Sequence, residues 1–388
     1  MLRDTILLTG GTGALGQMLL PRLLAKGHKV VCLVRAEDTR TARRRIERIV
    51  GSHPNVKTIR GDVTEPRCGI SDLDQEQMFG RVRRILHSAA CINFDDQEQT
   101  HCTNVSGVHH ALELADRLDA WNLLHVSTAY VAGDADELSE SDLYIGQRWR
   151  NYYEESKFVG ETLVKSWALQ RDDRRITIFR PSILIGCTDG TTPTYDGYYT
   201  FTGVVDRLAD TLRARRGNGL PPDVWTETDG TVHLPLVMQM ADKAVNYVPI
   251  DWAADAMVKL LDVQPSNSTY HLVHHQPSRI RDLTKWSLDY LKVAGIQIVE
   301  TEPEKRAAVA RQSRFVQALQ RKLDSVHRAY VPYCTSDPHF TLDTTQAALG
   351  EDFRLPAIID QQYIARLLAY AVSHNWGRQV RKPALSNA

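Results

Sequence analysis

Tyr153 and Lys157 stand four residues apart in the stretch Tyr153-Glu154-Glu155-Ser156-Lys157. Helical spacing places this phenol and ammonium on one face, about one turn apart. A cation beside a phenol favours the phenolate, so the pair predicts a tyrosine tuned to exchange a proton with an oxygen on a reacting carbon. Upstream, the strand-like run Leu123–Ser127 leads into Thr128, whose hydroxyl can hold the same oxygen. A Tyr-x-x-x-Lys alone also fits an exposed helix face, and a strand-end Ser-Thr alone also fits a cap or turn. Their order behind a nucleotide-type loop is what makes them specific.

That loop is Thr9-Gly10-Gly11-Thr12-Gly13-Ala14-Leu15-Gly16, between the apolar run Thr5–Thr9 and a helical stretch. Glycines there permit a tight turn and bring backbone N–H groups close to a pyrophosphate, with a helix N-terminus beyond. A glycine-rich turn can be only a turn; its place after a strand and before a helix predicts a dinucleotide. The second strand, Lys29–Val34, ends at Arg35, where an NAD site normally carries a carboxylate. A guanidinium suits a 2′-phosphate, which favours NADPH, while Glu37 nearby argues the other way. Arg43, Arg44 and Arg45 follow on a predicted helix and also read as a solvated basic face.

Strand-like and helix-like segments alternate through the first half: Val56–Arg60, Arg84–Ser88, Leu123–Ser127 and Ile176–Phe179 follow the first two strands. This is the pattern of an α/β fold with a doubly wound parallel sheet, its apolar strands covered on both faces. Composition changes after Ile185, with Gly, Pro, Thr and aromatic residues and a helix near 204–215; Ser268–His274 reads as a late strand returning to the sheet.

On these strings the chain resembles the extended short-chain dehydrogenase/reductases, and within them the male-sterility, fatty acyl reductase and thioester reductase branch. The strings are Leu33-Val34-Arg35-Ala36, Gly61-Asp62-Val63-Thr64-Glu65-Pro66, His87-Ser88-Ala89-Ala90 with Ile92-Asn93-Phe94, and Thr103-Asn104-Val105-Ser106-Gly107. His125-Val126-Ser127-Thr128-Ala129-Tyr130-Val131 and Phe179-Arg180-Pro181-Ser182-Ile183 complete them. The resemblance implies a Rossmann NADP-binding domain over 1–188 plus about 246–275. A smaller, mainly helical C-terminal substrate domain would take 189–245 plus 276–388. It also implies roles: Asp62 and Val63 flanking the adenine, Ala89 and Ala90 lining the fourth strand's end, and Asn104 steadying the active-site helix. Lys157 would bind the nicotinamide ribose, Pro181, Ser182 and Ile183 would meet the nicotinamide side, and Arg45 would be a second phosphate contact.

The reaction implied is reduction of an acyl thioester by NADPH to an aldehyde, with a second hydride able to carry it to an alcohol. The acyl group would arrive on CoA or on an acyl carrier protein. Relatives are often fused to carrier or adenylation domains, and 388 residues leave no room for them, so a free-standing reductase is expected. Homodimer formation is left open. The rival readings are a ketone or alcohol dehydrogenase or a sugar-nucleotide epimerase using the same Tyr-Lys chemistry, and a non-catalytic NADP-binding sensor.

Tyr195, Tyr198, Tyr199, Phe201 and Trp225 offer aromatic surface for an acyl pocket, or ordinary packing of a cap. Arg213, Arg215 and Arg216 could meet phosphates or an acidic carrier, or form a solvated helix end. Asp134–Asp142 reads as a solvated acidic loop. Lys+Arg and Asp+Glu are each 47, which argues against a nucleic-acid partner held by bulk charge. Six scattered cysteines read as reduced thiols. No signal-type leader, membrane span or metal motif is found, so the expected address is the cytoplasm.

Overall fold

Strands that are apolar on both sides dictate the centre of the fold. Ile6, Leu7 and Leu8 have no exposed surface, and every residue of Asn122–Val126 is buried. Such strands are stable only with helices on both faces. The computed structural model describes residues 5–215, 219–263, 267–334 and 336–378. In it these runs are β1 (Thr5–Thr9), β2 (Lys29–Val34), β3 (Val56–Arg60), β4 (Val82–His87), β5 (Asn122–Val126), β6 (Arg175–Pro181) and β7 (Ser268–Leu272). They form one seven-stranded parallel sheet in the order β3-β2-β1-β4-β5-β6-β7. The chain winds outward from β1 to one edge and then fills the other side from β4. Sheets of this kind bind ligands at the carboxyl ends where the winding reverses, here between β1 and β4.

The helices that position the site are α1 (Ala14–Ala25), α2 (Thr39–Val50), α3 (Gly107–Leu118), α4 (Tyr152–Leu169) and α5 (Ile250–Leu260). α1 starts at the glycine loop and buries Leu15, Leu19, Leu20 and Leu23; each such side chain contributes about 1.5–3 kcal/mol by burial. α1 packs against α5. α4 is capped by Asn151, whose side chain accepts from the Glu154 amide. Glu154 and Glu155 complement the positive end of its first turn.

The chain forms two compact units. The first runs through Leu184, with Asn246–His275 and Pro338–Pro356; the second takes Ile185–Val245, Gln276–Asp337 and the chain from Ala357. Residues 338–356 thus rejoin the sheet unit, although the sequence reading placed all of 276–388 in the substrate region. The cause is Glu140, in a stretch expected to be a solvated acidic loop but itself buried. Its carboxylate accepts from the amides of Thr344 (2.5 Å) and Thr345 (3.0 Å), the Thr345 hydroxyl (2.5 Å) and the His271 amide (3.0 Å). Four donors on one carboxylate stitch the returning segment to β7.

The second unit is mainly helical, built on Tyr198–Arg215, Ile280–Tyr290, Arg314–His327 and Gln361–Ser373, with short strands between. Its aromatic residues largely serve its own packing. Tyr199 is 4% exposed, and the Tyr198 hydroxyl bonds Ser287 Oγ at 2.7 Å. Both are therefore core side chains, the packing alternative of the two that the sequence left open. Trp225 stays exposed and stacks on His233 with ring centroids 4.2 Å apart. Arg213 donates to the carbonyls of Gly230 (3.0 Å) and Leu291 (2.5 Å) and Arg215 lies over the Phe315 ring, so both are held within this unit. Arg216 lies outside the described residues.

Candidate active site

The glycine loop is shaped by contacts that no side chain could share. Gly10 has φ +70°, and a Cβ there would stand 2.6 Å from the Ala89 amide nitrogen. A Cβ on Gly16 would lie 2.2 Å from the Gly10 carbonyl oxygen. Thr9 closes the turn from below: its hydroxyl accepts from the amides of Ser88 and Ala89, both at 3.1 Å. Above the loop lies a cavity of about 720 Å³. Among the residues predicted for the cofactor, Gly10, Thr12, Gly13, Arg35, Arg45, Asp62, Val63, Ala89 and Ala90 line it. Gly11, Leu15 and Gly16 are buried, and Ala14 opens α1. A cradle that only glycine can form, facing a cavity of this size at a helix N-terminus, fits a dinucleotide pyrophosphate.

The basic side chains are arranged differently from one another. Arg45 is a strut, donating to the Arg35 carbonyl at 2.6 Å and to the Thr12 hydroxyl at 3.0 Å, and so ties the loop to the end of β2. The Arg35 side chain is 77% exposed, with its Nε 4.0 Å from the Asp62 carboxylate. Asp62 also accepts from the Thr64 amide (3.0 Å) and hydroxyl (2.9 Å) through its other oxygen. The far wall of the cavity is Cys91, Asp96, Glu98, Gln99, Cys102 and Thr103; of these only Thr103 falls in a string that the sequence singled out, and none was assigned to the cofactor.

Asn104 joins that wall to the helix. It lies in a single π-helical turn, Cys102–Ser106, that runs into α3, a distortion frequent at functional sites. Its carboxamide accepts from the Cys91 amide at 2.8 Å and donates to the Cys91 carbonyl and to Ser156 Oγ, both at 2.9 Å. Ser156 in turn donates to the Tyr153 carbonyl at 2.8 Å.

Tyr153, Lys157 and Thr128 meet at the carboxyl end of β5. The Thr128 hydroxyl donates to the Pro181 carbonyl at 3.3 Å and accepts from the Tyr130 amide at 3.2 Å. Burial pushes the Tyr153 phenol above its usual range, while the hydrogen-bonding Thr128 hydroxyl acts against that rise. Lys157 is 2% exposed and donates to the Val126 carbonyl at 2.5 Å. Burial pulls its ammonium down to about 8, with Glu161 acting in the opposite sense. The expectation that the ammonium makes the phenol acidic is thus corrected. The ammonium is held on a backbone oxygen, and desolvation dominates at Tyr153, which keeps its proton. Pro181 and Ser182 are buried at the end of β6. The Ser182 amide donates to the Leu272 carbonyl at 3.0 Å, and the Ile183 amide to the Asn246 carbonyl at 3.2 Å.

A sequence profile of the male sterility protein family, a group of NAD-binding domains, matches residues 8–257. The chain belongs to this family. Among curated relatives of this male sterility protein family member, the nonribosomal peptide synthetase asaC of Aspergillus flavus is 27% identical over 76% of the chain and 28% of its own length. The carboxylic acid reductase of Segniliparus rugosus is 24% identical over 66% of the chain and 23% of its own length. The chain therefore spans less than a third of either relative. Among solved structures, the terminal R domain from the myxalamid PKS-NRPS biosynthetic pathway aligns with a TM-score of 0.78 at 22% identity. That alignment covers 97% of this chain and 92% of the domain, and it shows a shared fold.

Proposed function

We propose that this chain reduces an acyl thioester with NADPH, releasing an aldehyde and a thiol. The observation that carries this reading is the meeting of the Thr128 hydroxyl, a Tyr153 phenol that keeps its proton, and the buried Lys157 ammonium at the carboxyl end of β5. A protonated phenol is the form a reduction needs, because the carbonyl oxygen gains negative charge and must be given a proton. The carboxylic acid reductase and nonribosomal peptide synthetase relatives support acyl-level reduction over alcohol oxidation.

When bound, the nicotinamide supplies a hydride to the carbonyl carbon. Gly10, Thr12 and Gly13 would hold the pyrophosphate against the start of α1, Asp62 and Val63 would flank the adenine, and Lys157 would bind the ribose. Pro181, Ser182 and Ile183 would face the nicotinamide side. Arg35, exposed and weakly tethered, is free to close on a 2′-phosphate, and Arg45 would back it; this favours NADPH over NADH. Thr128 and Tyr153 orient the carbonyl oxygen, and Tyr153 gives it a proton. The hemithioacetal then breaks its C–S bond, and the thiol leaves with the proton from the hydroxyl. The acyl group would be carried by CoA or a carrier protein, and the second unit would serve as the substrate domain.

The test is incubation of the protein with NADPH and a panel of acyl-CoA and carrier-bound thioesters, following NADPH absorbance and free thiol together. Stoichiometric loss of NADPH and gain of thiol is expected, slowed in Tyr153→Phe by about 10²–10⁴-fold. Turnover of ketones or sugar nucleotides without thiol release from any donor would overturn the reading.

A further inference from the structure

Arg150 takes no part in the steps above, yet it bridges the two elements that carry the Thr128 hydroxyl and the Tyr153 phenol. Thr128 opens the short turn Ala129–Ala132, and its hydroxyl accepts from the Tyr130 amide at 3.2 Å. The Tyr130 ring in that turn is buried. The Arg150 guanidinium lies over it, its carbon 5.2 Å from the ring centroid. Phe340, from the returning segment 338–356, meets the same ring edge-on with centroids 5.6 Å apart. A cation on the face of an aromatic ring is attracted by the ring's quadrupole, more strongly where water is excluded.

The same guanidinium grips the residue next to Tyr153. Arg150 Nε donates to the two Glu154 oxygens at 3.0 and 3.2 Å, and Nη2 lies 2.9 Å from Oε1. The Arg150 amide adds a bond to Glu154 Oε2 at 3.1 Å. The Glu154 side chain is 0% exposed and that of Arg150 10%. An acid in the first turn of a helix is already favoured at the surface, so capping alone gives no reason to bury this one. A buried ion pair adds little stability over apolar groups of the same volume, and its best-attested use is to fix one arrangement of the elements it joins. A lysine could neutralise Glu154, but only a planar fork can hold a carboxylate and stack on a ring at once.

We propose that Arg150 is a positioning residue that locks the Thr128 turn to the first turn of α4, so that hydroxyl and phenol keep the spacing that holds a carbonyl oxygen. This rests on the reading of Thr128 and Tyr153 as the groups on that oxygen. The glycine-loop cavity is lined by other residues, so loss of the clamp should fall on turnover and not on cofactor binding. A misplacement of about 1 Å at a reacting centre costs about 10²-fold in rate.

The experiment compares the wild type, Arg150→Lys, Tyr130→Leu and the double variant. It measures kcat with the acyl thioester, or other carbonyl substrate, that the wild type turns over, and NADPH Kd by nicotinamide fluorescence. Urea unfolding gives the folded fraction to which each kcat is referred. Arg150→Lys keeps a charge beside Glu154 but loses the fork, and should lower kcat by about tenfold to a hundredfold with NADPH Kd unchanged. Tyr130→Leu removes the face beneath the guanidinium, keeps the amide on Thr128, and should lower kcat in the same direction. The double variant should fall no further than the worse single variant, because both cut one link. A wild-type kcat per folded molecule in Arg150→Lys, an equal weakening of NADPH, or multiplicative losses in the double variant would overturn the proposal. Should Arg150→Lys not fold, the same comparison of kcat with Kd in Tyr130→Leu decides it. Tyr153→Phe separates the two levels: full turnover in that variant removes the reading of the site and the clamp with it. An inactive Tyr153→Phe with wild-type kcat in Arg150→Lys and Tyr130→Leu removes only the role of Arg150.

Discussion

The Asn104 carboxamide grips the Cys91 backbone from both sides, taking its N–H at 2.8 Å and giving an N–H to its carbonyl at 2.9 Å. A third bond, to Ser156 at 2.9 Å, reaches the turn of α4 that carries Tyr153. One side chain 1% exposed thus couples the cavity wall to the proton donor. Asn104→Ala leaves the Cys91 backbone groups and the Ser156 hydroxyl without this partner, at about 1–3 kcal/mol for each group that water cannot reach. The expected result is a lower midpoint in urea together with a fall in kcat. A variant that melts as the wild type does and turns over at the wild-type rate would remove the coupling.

Arg35 and Arg45 should separate in a cofactor titration. Arg35 has an exposed guanidinium, and charge-assisted hydrogen bonds to a phosphate are worth about 1.5–3 kcal/mol. Arg35→Ala should therefore weaken NADPH by about tenfold to a hundredfold and leave NADH nearly unchanged, as read by nicotinamide fluorescence. Arg45 braces Thr12 and the end of β2, so Arg45→Ala should weaken both cofactors. Equal losses for both nucleotides in Arg35→Ala would mean that this guanidinium does not read the 2′-phosphate.

Much of this was legible because the relevant signals are local. Apolar runs such as Ile6-Leu7-Leu8 mark strands buried on both faces, and the glycines at positions 10 and 16 mark a turn with no room for a Cβ. The four-residue step from Tyr153 to Lys157 marks one helix face. What stayed hidden depends on long-range packing. Glu140 looked like one more acid in Asp134–Asp142, because its partners Thr344 and Thr345 come 204 and 205 residues later. Desolvation at Tyr153 is likewise set by what packs around the phenol and not by the lysine one turn on. That His87 and His125 stand side by side is also set by the strand register and not by any local pattern.

Acid should destabilise the fold through its buried imidazoles. Burial holds His87 and His271 down to about 3 each, below the usual 6.5. For a histidine depressed in this way, the unfolded chain takes up the proton first. Stability is therefore fully present above about pH 6.5 and is lost as pH falls toward the folded value. At pH 5 the loss is about 2 kcal/mol for each such group, at about 1.36 kcal/mol per pH unit. Urea midpoints measured at about pH 7.5 and pH 5 should differ accordingly, and by less in His271→Gln. Identical midpoints at the two pH values would show that these rings are solvated.

The Arg180–Glu161 pair offers the sharpest stability test, because both side chains are 0% exposed. Arg180 Nε and Nη2 donate to the two Glu161 oxygens at 2.9 and 2.7 Å, and Nη2 also donates to the Asp142 carbonyl at 2.7 Å. The pair joins β6 to α4 one turn beyond Lys157. Removing one partner strands a buried charge, which costs about 3–5 kcal/mol, whereas replacing both with apolar groups of similar volume is often neutral. Glu161→Gln should therefore lower stability by that amount, and Arg180→Met combined with Glu161→Leu should lose much less than the two single variants together. Glu161→Gln has a second, independent signature. The carboxylate that favours the Lys157 charge disappears and an uncompensated guanidinium remains. The ammonium should then lose its proton at lower pH, and the alkaline limb of kcat should shift downward. Loss of stability without any movement of that limb would confine the pair to a structural role, and additive single-variant losses would show that the two charges are not coupled.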